Sequence, residues 1–112
     1  MTGKQPKNKD LNFDFLFHAV LSLQSLEECE AFFKDLCTIS ELKAMSQRLQ
    51  VAKMLSERVV YSDIVTKTGA STATISRVNR SLNYGCDGYD AVFERLDEKG
   101  IRPPAENEAE HE

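Results

Sequence analysis

The sequence predicts an all-α protein, and three observations carry that reading. Apolar residues recur every three or four positions through most of residues 12–98, the spacing that lines one side of a helix. Two Ser/Thr-x-x-Glu signatures, Ser25 with Glu28 and Thr38 with Glu41, mark helix starts, since each side chain can satisfy a backbone N–H that a first turn leaves open. The one run with strand propensity, Val59-Val60-Tyr61, has no alternating segment to pair with and reads as a connection into a helix.

The first element lies in LNFDFLFHAVLSL. Phe13, Leu16, Phe17, Val20 and Leu23 share a face, while Phe15 and Leu21 add apolar surface elsewhere. A helix apolar on so much of its circumference needs more than one packing partner, which points to a role between subunits. His18, within this run, is read as a structural histidine. The second helix opens at Ser25 and presents Leu26, Cys29, Phe32, Phe33 and Leu36. The third opens at Thr38 and carries a stripe of Leu42, Met45, Leu49, Ala52 and Leu55, expected to be core. Lys43, Gln47, Arg48, Gln50 and Lys53 are expected largely off that stripe. The fourth is Tyr61–Thr68. The last is expected at Tyr89–Asp97, with Tyr89, Val92, Phe93 and Leu96 apolar, after the turn NYGCDG.

The termini read differently. Residues 1–11, with Lys4, Lys7 and Lys9, are expected to be a flexible basic arm. Residues 99–112 hold Pro103, Pro104 and four glutamates and are expected to form a disordered acidic tail, leaving 12–98 as the folded domain.

At 112 residues the chain is one domain with a modest core, a size at which oligomerisation often adds stability. Its net charge of −4 hides a division. Residues 42–82 hold seven Lys/Arg against two Asp/Glu, and residues 83–112 hold three against nine. The middle segment can therefore attract an anion despite the acidic whole. Cys29, Cys37 and Cys86 form no CxxC pair and have no nearby His, which argues against a zinc site or a disulfide framework. The N-terminus lacks an apolar signal core, and no run approaches the ~18 apolar residues of a membrane span. The expectation is a soluble, cytoplasmic protein without a membrane partner. Nothing resembles a catalytic triad, a glycine-rich phosphate loop or a metal cluster, so no catalytic or metal-binding residue is assigned and an enzyme is not expected.

The functional signal lies in TKTGASTATISRVNRSL, residues 66–82. Gly69 falls where the fourth helix must end, and glycine enters the left-handed conformation that ends a helix at little steric cost. Ser71 or Thr72 can cap the next helix. Ile64, Ala70, Ile75 and Val78 can form the internal contact of a helix-turn-helix. Ser71, Thr72, Ala73, Thr74, Ser76, Arg77 and Arg80 are then left at the leading end or outer surface. Arginine, hydroxyls and methyl groups are the side-chain chemistry that reads base edges in the major groove, and arginine and hydroxyls also hold phosphates. The prediction is a DNA-binding regulator acting on double-stranded DNA. The alternative is a protein-interaction module that keeps the helix-turn-helix without reading sequence, which the acidic tail and net charge favour.

LCTISELKAMSQRLQVAKML followed by GASTATISRVNRSL resembles the Trp repressor family, in its YerC/YecD-type branch. The most specific parts are the Thr-x-x-Glu start with an arginine ten residues on, and the block Gly-Ala-x-x-Ala-Thr-Ile-Ser-Arg-x-x-x-Ser-Leu. The resemblance implies a six-helix fold, an intertwined homodimer, and a recognition helix starting near Thr72. Two such helices would meet half-sites of a palindromic operator roughly 34 Å apart, as expected of a repressor. It also implies an effector pocket, which in the namesake holds L-tryptophan between two arginines. Thr38, Arg48, Arg77 and Ser81 match the positions lining it. Here Val78 replaces the namesake's glycine, Cys37 replaces a leucine, and the segment before the helix-turn-helix is shorter by about one residue. These departures set L-tryptophan against another small corepressor, or none.

Overall fold

A computed structural model describes residues 13–104 and, among them, places six helices and no strand. They are α1 (Phe13–Leu21), α2 (Leu26–Leu36), α3 (Ile39–Ser56), α4 (Tyr61–Thr68), α5 (Thr72–Tyr84) and α6 (Gly88–Glu98). The all-α expectation holds, and α4 begins and ends where the sequence placed it. The expected arm at residues 1–11 lies outside the described residues, as does the tail beyond 104. The chain divides into two compact units, residues 1–42 and 43–112.

In the first unit, both expected capping pairs form. Ser25 Oγ accepts the Glu28 N–H at 3.1 Å, but the Glu28 carboxylate takes the N–H of Gln24, one residue ahead of the cap. At Thr38 the exchange is fully reciprocal: the hydroxyl accepts the Glu41 N–H at 3.0 Å, and the Glu41 carboxylate accepts the Thr38 N–H at 2.9 Å. α1 stops at Ser22, whose hydroxyl donates to the Ala19 carbonyl at 2.7 Å and competes for the helical ladder. No described residue of this unit is buried. Phe15 and Leu21 are each 79% exposed and Leu26 is 74% exposed.

The second unit has its own core: Val51 and Ala52 of α3, Ile64 of α4, Ala70 of the turn, Ile75 and Val78 of α5, and Phe93 of α6. The expected stripe on α3 needs correction. Ala52 is fully buried and Leu55 packs against the core, but Leu49 is exposed and its neighbours Val51 and Lys53 are buried instead. The direction of burial is set by α4, α5 and α6, which the local periodicity of α3 cannot register.

Lys53, expected on the polar side, is the buried charge of this core. Its ammonium lies 3.0 Å from Asp97 Oδ1, 3.6 Å from a Glu57 oxygen and 5.1 Å from the centre of the Phe93 ring. The aliphatic stem covers apolar surface while the head reaches carboxylates at the rim, so burial leaves no unpaired charge. Arg102 joins the same carboxylates, at 2.8 Å from Glu57 and 3.7 Å from Asp97. The stretch expected to begin the disordered tail is thus tied, at Arg102, to Glu57 just past α3 and to Asp97 of α6. α6 starts at Gly88 and ends at Glu98, one residue beyond the expectation at each end.

Candidate nucleic-acid interface

Local chemistry fixes the turn between α4 and α5 from several sides. Gly69 adopts φ 75°, and its N–H donates to the Val65 carbonyl at 2.8 Å, which closes α4. The Thr68 hydroxyl donates to the Ile64 carbonyl at 2.7 Å and accepts the Ala70 N–H at 3.1 Å. The Gln47 side chain donates to the Thr68 carbonyl at 3.1 Å, anchoring the turn to α3. Ser71 is the N-cap of α5: its hydroxyl accepts the Thr74 N–H at 3.1 Å and donates to Thr74 Oγ1 at the same distance.

The four residues expected to form the internal contact all do so. Ile64 and Ile75 are fully buried, Ala70 is 2% exposed and Val78 is 3% exposed. Of the seven expected interface residues, Ser71, Thr72, Ala73, Ser76, Arg77 and Arg80 are exposed. Thr74 is only half-exposed, and its hydroxyl already meets the cap, so it serves the helix start first. Thr72, Ser76 and Arg80 follow one another at four-residue steps and form a single row along α5, with Ala73 and Arg77 beside it.

Electrostatics here are more local than the sequence suggested. Of the seven cations in residues 42–82, Lys53 is buried and neutralised by Asp97 and Glu57. Residues 61–84 retain Lys67, Arg77 and Arg80 against the single carboxylate Asp63.

A groove of about 670 Å³ runs along one side of α5. Tyr61 lines it from the start of α4; Ser76, Asn79, Arg80, Ser81 and Tyr84 line it from α5, and Gly85 closes it. Tyr61, Asn79, Tyr84 and Gly85 were missed in the sequence. Tyr84 could have been found from its place four residues after Arg80. Tyr61 could not, because only the folding of α4 against α5 brings it there. Gly85 has a clear reason: a Cβ at this position would collide with the Ser81 carbonyl.

The expected effector residues are distributed as follows. Thr38 caps α3 in the first unit. Arg48 is exposed on α3, and Arg77 is exposed on α5. Ser81 is exposed and lines the groove. Val78 packs within the core, filling the volume that a glycine at its position would leave open. Among the described residues, no group of three or more His, Cys, Asp or Glu side chains could hold a metal ion. No helix there is long and apolar enough to cross a membrane.

Comparison with known proteins agrees with this architecture. The family model described as Trp repressor protein matches residues 11–97. The uncharacterized protein YerC of Bacillus subtilis (strain 168) is 54% identical over 92 residues, covering 82% of this chain and 88% of that protein. A crystal structure of a TrpR-like protein from Eubacterium eligens ATCC 27750 superposes with a TM-score of 0.74 at 61% identity, over 80% of this chain and 91% of that one. A Staphylococcus aureus chain proposed to be a Trp repressor superposes with a TM-score of 0.71 at 50% identity, over 81% and 88%. The chain belongs to the Trp repressor family.

Proposed function

We propose that this chain, a DNA-binding regulator by its family, is a homodimeric repressor that recognises a palindromic operator and excludes polymerase by occupying it. The observation that carries the reading is the division of residues between α4 and α5. Ile64, Ala70, Ile75 and Val78 are spent on holding the two helices together, and Thr72, Ala73, Ser76, Arg77 and Arg80 are left exposed. Helix-turn-helix proteins read bases with the N-terminal residues of the second helix, where Thr72, Ala73 and Ser76 lie. Arg77 then serves the phosphate backbone or an effector, and Ser71 holds the helix start. Dimerisation is supported by the exposed apolar side chains of α1 and α2, which a second copy would cover. An effector role for Arg48, Arg77 and Ser81 belongs to the same proposal. The filled space at Val78 favours a ligand other than L-tryptophan, or none.

Selection from a random duplex pool tests this reading, at two salt concentrations and with and without tryptophan. Enrichment of a palindrome with half-sites one DNA turn apart is expected, with affinity falling steeply as salt rises because counterions are released. A folded dimer that enriches nothing at either salt would overturn it in favour of a protein-interaction module. The exposed apolar surfaces of α1 and α2 are the observation that favours that second reading.

A further inference from the structure

We propose that the groove beside α5 is a binding site for a single phosphodiester of the DNA backbone, held by Arg80 with help from the Tyr61 and Tyr84 hydroxyls. The proposal rests on the DNA-binding reading above and adds a specific division of labour: Arg80 positions the protein and does not read a base.

The first argument is chemical. The groove is lined by four hydroxyl-bearing side chains, one amide and one guanidinium, with no carboxylate. Such a lining donates to an anion and offers a cation no charged partner. Arg80 forms no ion pair or hydrogen bond with any described residue, so its five N–H donors remain available. Its planar fork matches the oxygens of a phosphate. Tyr61, on the opposite wall, is the first residue of α4, whose cap Val60 supplies no side-chain acceptor.

The second argument is geometric. Arg80 lies eight residues after Thr72, and eight helical residues advance about 12 Å. A major groove is itself only about 12 Å wide. If the start of α5 meets base edges, Arg80 has been carried to the groove margin, where the sugar–phosphate chain runs. The site is also broad and open with a single cation, which suits an anion delivered by neighbouring contacts better than one captured from solution.

The test uses the full chain with a selected operator and a base-scrambled duplex of equal length, titrated across salt. R80A is expected to weaken binding to both duplexes by about the same factor, near tenfold. The ratio between the duplexes should stay fixed, and the slope of log affinity against log salt should flatten by about two, one for each protomer of the dimer. Replacing successive operator phosphates with neutral methylphosphonates should reveal one position in each half-site where wild type loses affinity and R80A loses nothing further. Circular dichroism and a thermal melt confirm that R80A remains folded. S76A, by contrast, should alter the ratio between duplexes. Two results would overturn the site: a loss by R80A confined to the operator, or no loss on either duplex. Failure of wild type to bind either duplex would instead remove the DNA reading itself.

Discussion

Residues 13–42 and residues 43–104 are both helical, yet they handle their apolar side chains in opposite ways. The second segment buries seven hydrophobic residues in a core of its own. The first buries none, although its helices carry six phenylalanine and leucine residues that are more than half exposed. Helix formation is therefore separate from helix stability. Caps and spacing suffice to define α1 and α2, but short helices are marginal in water without a packed face. The part that carries the helix-turn-helix has a core of its own, and the part that precedes it leaves its apolar side chains open, as the proposed dimer requires.

The largest expected effect would break the contrast at its weaker side. In a dimer, replacing Phe15 and Leu21 with serine removes four large side chains from the assembly. At about 1.5 kcal/mol each, the dimer loses about 6 kcal/mol. Sedimentation equilibrium should show monomers at concentrations where wild type is dimeric, and an unchanged dimer would place these residues outside the interface. On the self-sufficient side, Ile75→Ala should cost about 3 kcal/mol in chemical denaturation by opening a cavity between α4 and α5. The double Ser variant should leave this local core intact, as amide exchange at Ile75 would report.

Two smaller effects sharpen the account of the second segment. Asp97→Asn leaves Lys53 buried with only the longer contact to Glu57. Since Asp97 is itself half exposed, a loss of about 1–2 kcal/mol is expected, much less than for a fully enclosed pair. The same loss in a variant that also lacks Lys53 would show that the contact contributes nothing. Gly69→Ala meets no steric obstacle, since nothing lies within 4 Å of an added Cβ. Its cost should be only the left-handed backbone, about 1 kcal/mol, readable as a small drop in Tm.

What could be read in the sequence follows the range of the interactions. The bounds of α4, the left-handed Gly69, a cap at Ser71 or Thr72 and the four internal residues of the helix-turn-helix are set within about fifteen positions of one another, and the sequence carries all of them; the structure chooses Ser71 as the cap. Lys53 could not be placed, because its partner Asp97 is 44 residues away and no spacing rule connects them. Arg102, read as part of a tail, finds Glu57 across 45 residues for the same reason. The exposed row on α5 was legible because a helix of known start fixes its own faces. The groove was not, since one wall comes from α4. The proposal that α1 lies between subunits came from its excess apolar surface, and α1 keeps Phe13, Phe15 and Phe17 exposed, as that proposal requires.

The close spacing of Ile64, Ala70, Ile75 and Val78 has a consequence for the order of events after synthesis. Contacts this local close small loops, so their entropy cost is low and their formation fast. The helix-turn-helix should assemble in a rapid step whose rate is independent of protein concentration. Helices α1 and α2, which bury no residue of their own, should in the proposed dimer complete in a later step that accelerates with concentration. A newly made chain would thus hold its reading head in working shape before it has met a second copy.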